Sequence, residues 1–259
     1  MDLGWDLLEQ GEYEGALEIA EALLEEEPGD LEALYLSGSC LLEAGSREDA
    51  EARLRRVLEA EPENLPARLT LSALLYESCR FDEALDNVQP VARQEPGNAY
   101  AQYLAGLLLE MKGRAKEAEA AFTRAAQLDP ERYSIPESID RVEFQRTVQQ
   151  ALEELPAEFR GKVTHLPIIV EDLPSADLLS ALDDPAPDLL GLFVGTSLAE
   201  KSHQDLPGVP EAVYLFKKNL ERACSGREEL LEEIRVTLLH EIGHYLGMDE
   251  TDLEEAGYD

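Results

Sequence analysis

The sequence predicts two domains of different class: an all-α solenoid of paired helices over residues 1–132, then a small α+β domain over residues 142–259. Three observations carry this expectation. Proline recurs every 34 residues through the first half, at Pro28, Pro62, Pro96 and Pro130. Beyond Pro130 the helical period gives way to short β-rich runs. The last long helical pattern carries two histidines four residues apart, His240 and His244.

Other positions keep the 34-residue step. Ala16, Ala50, Ala84 and Ala118 form one series; Gly11, Gly45 and Gly113 form a second, with Cys79 in the remaining slot; Gly4, Gly38 and Gly106 form a third, interrupted by Ser72. The Gly4 and Ala16 series place small residues where two helices approach. The Gly11 series falls at the turn, where positive φ costs glycine little. The proline series ends the second helix, because proline lacks an N–H and blocks continuation. Residues 31–64, 65–98 and 99–132 are full units, and residues 1–30 are a unit short of its first positions.

A 34-residue helix pair with these recurrences resembles the tetratricopeptide repeat family, over about half the chain. The resemblance implies a curved array with an extended concave binding surface. It implies inward positions that include Tyr35, Ser39 and Leu42, then Leu69, Ala73 and Tyr76, then Tyr100, Tyr103 and Leu107. Such a groove is apolar and tyrosine-rich. It lacks the Lys, Arg and Asn with which relatives grip a terminal carboxylate, so it suits an extended apolar or basic segment of a protein partner; the alternative is that these tyrosines are solvated or pack against the next domain.

Residues 133–141 contain turn formers and read as a linker. Residues 142–155 read as an amphipathic helix, with Phe144, Val148, Ala151 and Leu155 on one face, closed by Pro156. Residues 163–170 read as a strand that includes His165. Residues 176–188 read as a loop, Leu192-Phe193-Val194-Gly195 as a second strand, residues 199–210 as a polar loop, and Ala212-Val213-Tyr214-Leu215-Phe216 as a third strand. Residues 227–248 complete the domain as its longest helix.

Bulk composition narrows the partners. The net charge is -34, from 56 acidic and 22 basic residues. So negative a surface repels phosphates, which disfavours nucleic acid and anionic membranes and attracts basic peptides. Cys40, Cys79 and Cys224 are scattered and make neither a disulfide framework nor a thiolate metal site. The acidic start Met1-Asp2-Leu3-Gly4-Trp5-Asp6 has no signal-peptide pattern, and no apolar run reaches membrane-spanning length. These features predict a cytoplasmic protein.

The final helix carries His240-Glu241-Ile242-Gly243-His244. Four-residue spacing puts both imidazoles on one face, able to share a divalent metal, with Zn²⁺ the natural choice. Glu241 lies beside them, placed to take a proton from a metal-bound water. Leu231, Ile234, Leu238, Ile242 and Leu246 form a separate apolar stripe. Gly247 breaks the helix one turn later, as a chain returning toward the metal requires. For a third ligand the spacing leaves Asp249, Glu250, Asp252, Glu254 and Glu255 open, and His203 in the polar loop is a further candidate as ligand or transition-state donor. His165 reads as structural.

From about residue 142 the chain resembles the small zincin-like metallopeptidases, sometimes called minigluzincins. The matching stretches include Leu155-Pro156-Ala157-Glu158-Phe159, Ile168-Ile169-Val170-Glu171-Asp172, Leu190-Gly191-Leu192-Phe193, and Thr237-Leu238-Leu239-His240 through Gly247. The family motif is H-E-x-x-H-x-x-G-x-x followed by an acidic residue, often Asp. The resemblance implies a zinc peptidase with His240, His244 and Glu250 as ligands, Asp249 as competitor for the third place, and Glu241 as general base. The repeats then recruit the substrate or a partner. The alternative is a protein-binding scaffold with a structural or vestigial zinc site.

Overall fold

A computed structural model describes residues 1–196, 198, 211–249 and 251–253. The chain divides into two compact units, Met1–Ser134 with Asp183–Pro185, and Ile135–Leu182 with Ala186–Asp259.

The first unit is all helix: α1 (Asp2–Glu9), α2 (Tyr13–Glu26), α3 (Leu31–Glu43), α4 (Arg47–Ala60), α5 (Leu65–Glu77), α6 (Phe81–Gln94), α7 (Ala99–Met111) and α8 (Ala115–Leu128). Each helix packs on the next in sequence. Local capping fixes where the first helix of each full repeat begins. Asp30, Asn64 and Asn98 accept from the N–H of Ala33, Ala67 and Ala101 at 2.9, 3.0 and 3.0 Å, satisfying a donor that the helix leaves unpaired.

Reciprocal side-chain sizes explain the small-residue series. A Cβ at Gly106 would lie 2.6 Å from the Phe122 ring, and one at Gly38 would lie 3.1 Å from Leu54. In the intervening repeat the partner position holds the smaller Val88, and the extra volume of Ser72 fits. The Ser72 hydroxyl donates to the Ala84 carbonyl at 2.8 Å, so this buried polar group is satisfied. The departure from glycine at Ser72 is therefore a change in how the helix pair is tied together.

The departure at Cys79 is of another kind. Gly11, Gly45 and Gly113 take φ of 80°, 79° and 69°, and Cys79 takes 56° in the same turn. A Cβ in this left-handed region clashes with the backbone, which costs about 1–2 kcal/mol. Replacing Cys79 with glycine relieves the clash, partly offset by the entropy glycine loses on folding. Cys79→Gly is expected to stabilise the protein by roughly 1 kcal/mol, read as a rise in the denaturant midpoint.

The second unit contains α9 (Arg141–Glu154), α10 (Ala157–Val163), β1 (Ile168–Glu171), α11 (Ala176–Leu179), β2 (Gly191–Val194), β3 (Ala212–Phe216), α12 (Lys217–Ala223) and α13 (Arg227–Leu246). The strand order is β1-β3-β2, with β1 parallel and β2 antiparallel to β3. α13 packs against β2, β3 and α9. The core between them unites Phe144, Val148 and Leu155 with Val213, Leu215, Ile234, Leu238 and Ile242.

Several expectations shift. The strand expected from residue 163 begins at Ile168, because Val163 closes α10 and Leu166 N–H donates to the Val163 carbonyl in a turn. His165 is therefore an exposed turn residue and not part of a strand. The loop over 176–188 contains α11, whose Leu179 is fully buried. The segment read as a linker is partly built into the second unit. Ile139 is buried in its core, and the buried Glu221 carboxylate accepts from Ser138 Oγ at 2.7 Å, from Ile139 N–H at 3.2 Å, and from Lys217. Three donors, one of them an ion-pair partner, satisfy a carboxylate that burial would otherwise penalise.

Candidate metal centre

The two histidines project from the C-terminal third of α13 and are half-buried, as is Glu241. Their Nε2 atoms lie 2.9 Å apart, with the rings nearly perpendicular at 82°. One ring donates to the other; the tautomer decides which. A tetrahedral zinc with Zn–N bonds of about 2.0–2.1 Å separates its nitrogens by about 3.3 Å. The pair thus needs only a few tenths of an ångström to receive the ion, and neutral imidazole is a suitable donor.

Glu241 is held by backbone. Its Oε2 accepts from the Phe193 N–H of β2 at 2.6 Å. The sheet register explains this. Phe216 N–H donates to the Leu190 carbonyl at 2.8 Å, so residues 192 and 194 also point their polar groups at β3. Those of Gly191 and Phe193 point to the other edge. The Phe193 side chain and the Cα–H face of Gly191 turn toward α13. Phe193 meets Tyr245 edge-on, with centroids 5.6 Å apart, and a Cβ at Gly191 would lie 2.7 Å from Thr237 Cγ2 and 3.0 Å from Glu241 Cγ. Gly191 therefore lets β2 settle against the helix closely enough for its edge to reach the Glu241 carboxylate.

Asn219 was not singled out by sequence reasoning. It is buried, and its amide donates to the carbonyls of Pro187 and Leu189 at 3.0 and 2.8 Å, pinning the approach to β2. An isolated Asn on a short helix carries no pattern that marks it. The final helix is also apolar over more of its surface than the five-residue stripe suggested. Leu230, Leu239 and Tyr245 are buried with Ile234, Leu238 and Ile242, whereas Leu231 and Leu246 are half-buried. Packing against both the sheet and α9 demands two apolar faces.

The other candidates fall as follows. Glu250, His203, Glu254 and Glu255 lie outside the described residues. Among the described residues no group of three or more His, Cys, Asp or Glu is arranged to hold a metal ion. Asp249 and Asp252 spend carboxylate oxygens on each other's backbone N–H groups. His165, in its turn before β1, is exposed. The Cys224 thiol is pushed up to about 11, by burial first and then by Glu233 and Glu229, so it stays protonated at neutral pH. In the first unit, the Tyr35 ring lies tilted at 43° to that of Trp5, and its hydroxyl shares a hydrogen bond with Thr70. Tyr76 meets Phe81, and Tyr103 meets Phe122 and Tyr133. Tyr35, Tyr76 and Tyr103 are half-buried; Tyr100 is exposed.

Residues 163–258 match the family described as zincin-like metallopeptidase, and residues 7–62, 42–108 and 99–132 match tetratricopeptide repeat families. The chain is a tetratricopeptide repeat array joined to a zincin-like domain. No curated protein matches it. Among solved structures, a crystal structure of MamA is 22% identical over 50% of this chain and 76% of its own, with a TM-score of 0.45. MamA 41-end from Desulfovibrio magneticus RS-1 is 23% identical over 62% and 85%, with a TM-score of 0.46. A thermophilic TPR protein from Thermus thermophilus is 26% identical over 50% and 73%, with a TM-score of 0.45. The zincin-like domain contributes the His240–His244 pair and Glu241. Among the described residues no helix of the chain is long and apolar enough to cross a membrane.

Proposed function

We propose that the zincin-like domain is a zinc-dependent peptidase and that the repeats recruit its protein substrate or a protein partner. The observation that carries this reading is the convergence of two imidazole Nε2 atoms to 2.9 Å, on the helix turn that also bears Glu241. In this reading His240, His244 and Glu250 hold the metal. A zinc held there would supply a more acidic water, its pKa drawn toward about 7, and Lewis-acid polarisation of a carbonyl oxygen. Glu241, its carboxylate steadied by Phe193 N–H, takes the proton from the attacking water and passes it to the leaving amine. The outward Gly191 N–H and the outward carbonyls of Gly191 and Phe193 can pair with an extended peptide laid along β2. The repeats raise the local concentration of a tethered substrate without adding contacts at the scissile bond. The three cysteines are thiols rather than disulfides, which supports a reducing compartment such as the cytoplasm.

The test is metal analysis of the purified protein beside a proteome-derived peptide cleavage assay, each with and without a strong chelator. Stoichiometric zinc and chelator-sensitive cleavage are expected. Stoichiometric zinc with no cleavage would favour the scaffold reading, and a protein that takes up no zinc would sink both.

A further inference from the structure

Cations are unevenly placed in the first unit. Among the helices that open its repeats, α1, α3 and α7 carry no Lys or Arg. α5 carries Arg68 alone, whose Nε donates to the Pro62 carbonyl at 2.8 Å. The other cations sit on the second helices, in the turns or after α8. Acids of those elements meet them there: Glu21 meets Arg53, and Glu51 meets Arg55 and Arg80. The opening helices are acidic instead. Glu9, Glu43 and Glu77 keep the 34-residue step, each the last residue of its helix and each exposed. A carboxylate at that end opposes the helix dipole, and no basic residue occupies the last turn of α1, α3 or α5. Arg47 comes within 3.7 Å of Glu77; among the described residues Glu9 and Glu43 have no ion-pair partner.

Aromatic rings share these helices. Trp5 lies 5.3 Å from Tyr35, whose hydroxyl reaches Thr70 on the next opening helix at 3.3 Å. α1, α3, α5 and α7 touch one another in succession, so the rings and carboxylates belong to one face. Tyr100 keeps 38% of its surface open. Burial first and then Glu77, with Glu43 adding to it, nonetheless push its phenol up to about 12. A group both crowded and open lies in a recess, here one with carboxylates nearby. A guanidinium already stands beside these rings: Arg132 lies over Tyr133 at 5.6 Å, and Tyr133 is 4.8 Å from Tyr103.

We propose that this face binds an extended protein segment presenting a Lys or Arg side chain at every third residue. The inference rests on the recruiting role given to the repeats above and names what they recruit. A cation at the end of α1, α3 or α5 neutralises both the carboxylate and the negative end of the helix. The methylene stem of Lys or Arg packs along tyrosine while its head reaches the acid. Helix spacing sets the period. Packed helices stand about 8–10 Å apart, so the carboxylates recur at about that interval. A polyproline II segment has three residues per turn and rises about 3.1 Å per residue, which returns a side chain to the same side about every 9 Å. A β-extended segment does so about every 7 Å and falls out of step with the column.

End-capped, proline-rich peptides of equal length test it on the full chain by fluorescence anisotropy. One carries three Lys at every third residue, one the same three Lys side by side, one Glu in place of Lys, and one Leu in place of Lys. The spaced Lys peptide is expected to bind tightest, more weakly as salt rises, and the Glu peptide not to bind. Glu9→Gln, Glu43→Gln and Glu77→Gln combined are expected to weaken the spaced peptide about tenfold, each exposed pair supplying a factor of about two. Their melting temperature should stay near that of the wild type, since all three residues are exposed. Tyr100→Ala is expected to weaken binding about two- to fivefold; Tyr100→Phe keeps the ring and should bind like the wild type. Undiminished binding by the triple variant would overturn the proposal, because bulk charge and not this face would then be acting. Equal affinity for spaced and adjacent Lys would overturn the spacing. Preference for the Leu peptide would overturn the cationic partner and leave the recruiting role standing. Failure of every peptide to bind would remove both.

Discussion

Glu241→Gln is expected to leave zinc bound and to lower peptide hydrolysis by about a hundred- to ten-thousand-fold. Glutamine keeps the shape of the side chain. Its amide oxygen can still accept from Phe193 N–H, which Glu241 engages at 2.6 Å. What it cannot do is take a proton from water. His240→Ala separates the two halves of the mechanism. It removes one of two nitrogens lying 2.9 Å apart, and zinc should be lost together with activity. Because His240 is only half-buried on α13, folding should survive. Metal content by mass spectrometry and initial cleavage rates read both outcomes. A Glu241→Gln protein that cleaves as fast as the wild type would remove Glu241 from the reaction.

The second large effect is expected at Gly191. A Cβ there would stand 2.7 Å from Thr237 Cγ2 and 3.0 Å from Glu241 Cγ. Neither neighbour can swing clear without disturbing α13, since Thr237 is buried and β-branched. Gly191→Ala should therefore destabilise the zincin-like domain by about 1–3 kcal/mol, the usual cost of overpacking. It should also push β2 outward, lengthen the Phe193–Glu241 hydrogen bond and lower kcat while zinc content holds. Gly226→Ala is the control. Gly226 is the N-cap of α13, in extended backbone, and a Cβ there would meet nothing within 4 Å; alanine caps a helix less well than glycine, so stability should fall by no more than about 1 kcal/mol and the rate should be unchanged. Equal behaviour of the two variants in urea unfolding would show that β2 does not need its close seat.

Much of this architecture is written in short-range patterns. The 34-residue step of prolines and small residues records a helix pair whose geometry repeats, and α1 to α8 fall within those units. The four-residue spacing of His240 and His244 follows from the helical period alone, so their shared face was legible before any tertiary contact was known. Strand ends and short helices were less legible. α10 and α11 carry too few residues to display a period, and Val163, a strand former, closes a helix because Pro167 and the following strand fix where extension begins.

What surrounds the histidines was settled elsewhere. Phe193 grips Glu241 through a backbone N–H, and every residue but proline has one, so no side-chain type announces it. Gly191 and Gly243 matter for volume they do not occupy, against partners in Thr237 and Leu253 that lie well beyond the next helical turn in sequence. Sequence by itself determined the repeat period, the helix pairs and the pair of imidazoles, because these depend on neighbours within a turn or two. Tertiary structure alone decided which backbone groups and which absent side chains frame the site, because those contacts form between elements that only folding brings together.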